Sequence, residues 1–318
     1  MTEIKTSRRW GFYPILDQEA FKFYISQQKA LWNPSDVNFS HDYTNFCQLT
    51  KDEQIPLIRA LTIFQTLDGG VIDRFVLGLI NRAEALEDRL AYIVQLYTEV
   101  VHANSYGLQL IHLIPNDFER QSYLEAIDSE PWLQRYRDFI DKYTDDSVPE
   151  IIAVASQSAL EGVGFSGLFA IIFWYRTSIY ARDIPGITTS NEYIAAEEGI
   201  HRNYAVFRFL RLREKCDPEE IKTKVIAIFS ELMDIIKEAL PILLPTDLRG
   251  LSKQELYDYS CYVMDMLYED MGYPKVYNVK NPLIYMNRIG GSQKTSTFEH
   301  QSTDYSKGDL FRDDDGDF

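Results

Sequence analysis

Cysteine is scarce in this 318-residue chain: Cys47, Cys216 and Cys261 are far apart and odd in number. They form no CxxC pair and no disulfide framework, which fits a reducing compartment and leaves them as small buried or surface thiols. Basic residues are outnumbered, with 32 Lys and Arg against 48 Asp and Glu and a formal net charge of −16. That balance excludes nucleic acid as the main partner, because phosphate binding needs clustered Lys and Arg. A Gly-rich phosphate loop is lacking as well. No apolar run reaches the roughly 20 residues a bilayer span needs. The most apolar stretch, Val163 to Tyr175, is shorter and is interrupted upstream by Glu161, so a buried core helix is expected there. The opening "MTEIKTSRRWGFYPI" has two arginines but no long apolar segment, so it does not read as a secretory signal. A soluble cytoplasmic protein is the expectation. Strand signals are also missing, since no Asn-Gly or Asp-Gly sits between two β-branched runs.

What the chain has is helical periodicity. Apolar residues recur at three- and four-residue spacings over 58–80, 86–114, 151–175, 193–211 and 221–244, and the 45% hydrophobic fraction suffices for a sizeable core. "DPEE" at 217–220 predicts a helix start, with an Asp cap and Pro in the first turn. "IPND" at 114–117 and "IPGITTSNE" at 184–192 predict breaks, the second with Ser190 or Asn191 capping the helix that follows. From about Gly290 the chain turns polar and acidic. Residues 1–289 are therefore expected to form one all-α domain and 290–318 a flexible acidic tail, in which Tyr305, Leu310, Phe311 and Phe318 are isolated hydrophobes suited to a partner.

The chemistry sits in "LYTEVVHANSY", where Glu99, His102 and Tyr106 share one helix face. "AAEEGIH" repeats the Glu-x-x-His spacing with Glu198 and His201, using two more residues of a chain with only five histidines. Glu161 is a lone carboxylate in an apolar helix, and Asp68 is another in "LTIFQTLDGGVIDRF". Buried ionised carboxylates are costly unless paired or metal-bound. Four acids and two histidines on four apolar helices are best explained together, as ligands of two metal ions. Helical bundles with carboxylate-bridged dinuclear sites take one acid from each of two helices and Glu-x-x-His from each of the other two. Asp68 and Glu161 fit the first role; Glu99/His102 and Glu198/His201 fit the second. Oxygen-rich ligation with one imidazole per ion suits iron or manganese rather than structural zinc. Glu197 is a decoy by spacing, and Asp73, Glu84 and Glu87 are assigned to solvated faces or helix ends. Tyr106, one turn beyond His102, puts a phenol beside the metal pair, where it can lose one electron. Phe165, Phe169 and Ile194 are candidates for the apolar wall such a radical needs.

With these motifs in hand, the sequence resembles the radical-generating small (beta) subunit of class I ribonucleotide reductase, a ferritin-like dimetal-carboxylate protein. The resemblance runs over most of the chain and is carried by "ALWNPSDVNFSHD", "LEGVGFSGLFAIIFW", "TTSNEYIAAEEGIH" and "MDMLYEDMGYPKVYNVKNP". It implies a ferritin-like bundle, a homodimer, and metal ligands Asp68, Glu99, His102, Glu161, Glu198 and His201. Two iron ions are the first expectation, with manganese or a mixed pair compatible with the same ligands. It further implies that Tyr106 stores the radical. Trp32 would begin the radical path, Tyr305 would pass the oxidising equivalent on, and the tail would dock on the large (alpha) subunit, where ribonucleotides are reduced. The family commonly has Arg-Asp before the second Glu-x-x-His. This chain has Ala196 and Glu197, which makes Glu197 the candidate link between Trp32 and a metal-bound histidine. The rival readings are another ferritin-like oxidase with a small substrate and an iron-storage protein.

Overall fold

A computed structural model describes residues 11–288, with the side chains of residues 68–73 and 288 outside that description. Among the described residues the architecture is helical. The elements are α1 (Gln18–Ala30), α2 (Asp42–Phe46), α3 (Lys51–Gly70), α4 (Leu77–Arg82), α5 (Leu86–Leu113), α6 (Asp117–Asp128), α7 (Pro131–Thr144), α8 (Glu150–Ala159), α9 (Ser166–Thr177), α10 (Pro185–Arg213), α11 (Pro218–Leu243) and α12 (Lys253–Asp270). Two π-helical segments join them, Val71–Val76 between α3 and α4 and Leu160–Gly164 between α8 and α9.

Each predicted periodic stretch is a helix, with local differences. The 58–80 stretch is divided by the first π segment. Asp217 caps α11 through the N–H groups of Glu219 and Glu220, with Pro218 in the first turn. Asn116 of "IPND" caps α6 by accepting from Glu119. Neither Ser190 nor Asn191 caps a helix, because α10 already begins at Pro185. Proline preorganises that first turn. Both polar side chains are then buried within α10, where the Ser190 hydroxyl donates back to the Gly186 carbonyl and the Asn191 amide donates to the Ile187 carbonyl and to Gln109. α1, α2, α6, α7 and α12 add to the helices that periodicity predicts. In α12, Ser252 and Glu255 form a reciprocal capping box.

The core lies between α3, α5, the α8–α9 run and α10. α10 packs along α8, and α5 packs between α1 and α3. The run Glu150–Thr177 is 28 residues long, sufficient by length and composition to cross a membrane, yet 89% of its most apolar window is buried inside the protein. The second π segment is what makes the run this long, joining the predicted apolar stretch to α8. α1 is fixed to α10 at one end, where Asp17 caps α1 and pairs with Arg211. Gln27 donates to the Ala91 carbonyl at 3.2 Å and fixes α1 to α5. The chain therefore leaves α1 with Trp32 held against α10.

The start of α10 rests on the buried carboxylate of Asp42, which accepts the N–H groups of Gly186 at 2.9 Å and Ile187 at 2.8 Å. A carboxylate satisfies orphan donors at a helix N-terminus and complements its dipole. The approach needs glycine: a Cβ at Gly186 would meet Asp42 Oδ2 at 2.6 Å and the Asn38 carbonyl oxygen at 2.8 Å. Asp42→Ala would strand two buried donors and is expected to cost about 1–3 kcal/mol. The check is a lower urea midpoint at an unchanged slope.

Candidate metal centre

Helix α5 turns Glu99, His102 and Tyr106 inward on one face, and all three are fully buried. α10 contributes Glu198 and His201, and the π segment Leu160–Gly164 contributes Glu161, each at most 1% exposed. A π turn offsets the side chains on either side of it and recurs at functional sites. Asp68 lies near the end of α3, with its side chain outside the described residues.

The five described candidates form two trios, Glu99/His102/Glu198 and Glu99/Glu161/His201, whose donor atoms lie within 4.8 Å of one another. His102 Nδ1 is 3.0 Å from Glu198 Oε1 and 3.4 Å from Glu99 Oε2. His201 Nδ1 is 3.0 Å from Glu99 Oε1 and 3.7 Å from Glu198 Oε2. Two donors about 2.1 Å from one ion and about 90° apart would be separated by roughly 3 Å. The spacings therefore suit ions, and Glu99 belongs to both positions.

The outer contacts fix which nitrogen faces inward. The Thr98 hydroxyl donates to the Gln95 carbonyl at 2.8 Å, so its oxygen accepts from His201 Nε2–H at 3.0 Å. His102 Nε2–H donates to Glu197 Oε2 at 2.8 Å. Each imidazole thus turns Nδ1 toward the carboxylates, the outer-contact arrangement that orients metal-bound histidines. Glu161 Oε1 accepts from Gln95 at 2.7 Å and from Gln157 at 3.1 Å, leaving Oε2 for the centre. Both Glu99 oxygens, both Nδ1 atoms, Glu161 Oε2 and Glu198 Oε2 are buried without an acceptable hydrogen bond. Unsatisfied buried groups concentrated at one point fit a dinuclear metal-carboxylate site.

The electrostatics of the metal-free cluster agree. Burial alone would raise the Glu99 carboxyl, but the His201 charge and the close approach of both histidines outweigh it and hold it at about 2. Burial would lower His201, yet the Glu99 charge and contacts with Glu198 and Glu99 push it up to about 10. His102 moves well above its ordinary value despite burial, through Glu197, Glu198 and Glu99. Burial drives Glu161 far above the usual carboxylate range; the His201 charge opposes this and the Glu99 and Glu198 charges add to it.

Tyr106 stacks on Phe64 with ring centroids 4.6 Å apart and planes at 4°. Phe64 in turn packs against Phe165 at 5.3 Å and Phe169 at 4.8 Å. Phe165, Phe169 and Ile194 are buried as expected, and Phe64 is an aromatic that sequence reasoning missed. Gln95, Thr98 and Gln157 were missed too. Their signal is a polar side chain on a buried face, with Gln95 and Gln157 each one turn before a ligand glutamate. Glu197, far from being idle, accepts from Trp32 Nε1 at 2.9 Å as well as from His102. Of the acids assigned elsewhere, Glu84 is exposed, but Glu87 is buried at the start of α5, where it accepts the Leu16 N–H at 2.8 Å. The side chain of Asp73 and the tail residues, Tyr305 included, lie outside the described residues.

A family model described as "Ribonucleotide reductase, small chain" matches residues 9–282. The chain is 28% identical over 303 residues to the ribonucleoside-diphosphate reductase small chain of Variola virus, covering 95% of this chain and 93% of that one. It is 27% identical over 303 residues to the small subunit from Plasmodium falciparum (isolate FCR-3 / Gambia), covering 95% and 92%. The Rnr4 homodimer from Saccharomyces cerevisiae shares the fold with a TM-score of 0.78 at 22% identity, over 91% of each chain. Dimanganese(II)-NrdF of Streptococcus sanguinis shares it with a TM-score of 0.79 at 14% identity, over 87% of this chain and 98% of that one. With the match extending over most of its length, the chain belongs to the ribonucleotide reductase small-chain family.

Proposed function

We propose that Glu99, His102, Glu161, Glu198 and His201, joined by Asp68, hold two metal ions, and that Tyr106 keeps the oxidising equivalent this small chain generates for ribonucleotide reduction. The observation that carries the reading is Glu99, whose two oxygens face different histidines, Oε2 toward His102 and Oε1 toward His201. A carboxylate common to both trios would help hold both ions of a dinuclear site. When bound, the metal pair supplies oxygen activation and one-electron oxidation.

The chain's own residues do the rest. Thr98 and Glu197 hold the imidazoles in the tautomer that binds metal, and Gln95 and Gln157 orient Glu161. Phe64, Phe165 and Phe169 keep water from the Tyr106 ring. Glu197 joins His102 to Trp32 through two hydrogen bonds, which supports both residues as the beginning of the radical path. Glutamate's longer arm thus spans the gap where the family commonly has aspartate. The resemblance of "STDYSKG" and the acidic composition support Tyr305 as the tail relay and residues 290–318 as the segment that docks on the large subunit. Hard oxygen ligands with one imidazole per ion support iron first, and a dimanganese protein of the same fold keeps manganese as the alternative. Scarce, unpaired cysteine supports a cytoplasmic location.

A homodimer belongs to the proposal. α5 exposes Ile93, Tyr97, Val100 and Ile111, each about half accessible, on the side opposite its ligands. An apolar stripe of this kind marks a protein contact, and the S. cerevisiae relative is solved as a homodimer.

Protein from its native source is expected to carry two iron ions per chain and a tyrosyl paramagnetic resonance signal. Tyr106→Phe should abolish the signal and leave the metal content unchanged; a coupled metal signal surviving the substitution would move the oxidant onto the metals. Failure to bind any metal would overturn the reading. Metal binding needs neutral imidazoles, and the neighbouring carboxylates hold both histidines protonated in the metal-free chain at neutral pH. Loading should therefore release protons, and affinity should fall as pH falls. Titration in weakly buffered solution checks this. Tyr97→Glu places a charge in the α5 stripe and should shift sedimentation equilibrium toward monomer.

A further inference from the structure

Tyr193 has no part in binding metal, yet its ring packs against Trp32, with centroids 5.2 Å apart and planes at 45°. It lies one turn before Glu197 on the same face of α10. The two residues grip the indole together: Glu197 takes its N–H at 2.9 Å and Tyr193 covers its ring. Tyr193 is also 46% exposed. Its setting is the reverse of that of Tyr106, which is fully buried and stacked on a phenylalanine that is itself in contact with two more. Phenylalanine is hard to oxidise, so that surrounding retains a radical. A half-exposed phenol touching an indole passes one on.

We propose that Tyr193 is a redox relay that receives the oxidising equivalent from Trp32 and carries it to the surface of α10. The inference rests on the reading of Trp32 as the start of the radical path. In the step, the Trp32 indole, already short of one electron, takes one electron from the Tyr193 ring and returns to neutral tryptophan with its N–H still bonded to Glu197. Tyr193 loses its hydroxyl proton to water and becomes a neutral phenoxyl radical. One electron and one proton leave the phenol, and the radical generation proper to the family supplies the oxidant. Within the described residues this gives Trp32 an outlet at the surface.

The test uses the full, metal-free chain. Azidyl radicals produced by pulse radiolysis oxidise indoles in preference to phenols, and the decay of indolyl absorption into phenoxyl absorption reports electron transfer between them. A fast intramolecular phase is expected in the wild type and should be lost in Tyr193→Phe, which removes the hydroxyl but keeps the ring packing. The same phase should be lost in Trp32→Phe, which assigns it to this pair rather than to other aromatic pairs. Circular dichroism of each variant separates loss of the phase from misfolding. A phase of unchanged rate and amplitude in Tyr193→Phe overturns the proposal. Because no metal is present, that result would leave the dimetal reading standing, and a failure of metal binding would remove the source of the oxidant without altering the measured phase.

Discussion

Ionisable groups buried away from solvent govern this structure. Three glutamates and two histidines meet in an apolar interior, where an isolated charge would be prohibitive. Each is tolerable only beside an opposite charge or an ion, so their positions are mutually dependent. The surroundings follow from that. Glutamine amides and a threonine hydroxyl satisfy the atoms that face outward, and long helices with complete internal hydrogen bonding carry the ligands through the core.

Much of this was legible in the chain. Periodicity located the helices that carry the five described candidates, and the doubled Glu-x-x-His with Glu161 named side chains that meet in the core, because burial makes a carboxylate on an apolar face conspicuous. Other features were not legible for physical reasons. Leu160–Gly164 winds as π where it packs against α10 and α12, and nothing in its periodicity marks that winding. Ser190 and Asn191 look like caps in isolation, but a preceding proline and the distant Asp42 start the helix earlier. Glu87 sits at a helix end as expected, but its burial appears only once the segment around Leu16 folds over it. α7 shows the opposite case. Trp132, Leu133, Tyr136, Phe139, Ile140 and Tyr143 are all buried and lie at helical spacing, a pattern the sequence already carries.

The Ala196-Glu197 pair is the clearest departure from the family pattern, and its geometry is conservative. A carboxylate one methylene longer still meets both His102 and Trp32 within ordinary hydrogen-bond distance. α1 delivers the indole of Trp32 to this carboxylate. That position depends on the capping carboxylate of Asp17 and its pairing with Arg211 at the far end of α1.

α5 has two faces with different obligations. Glu99 looks into the core, and Val100, about 100° around the axis, looks out of it. A helix with its hydrogen-bond ladder complete turns as a rigid rod, so the two faces cannot be adjusted separately. A pressure on the outer stripe that rotates α5 would move a carboxylate common to both trios and, with it, the spacing between them. The exposed apolar stripe and the buried carboxylate cluster are thereby carried on a single mechanical part, and sequence change on either face is answerable to the other.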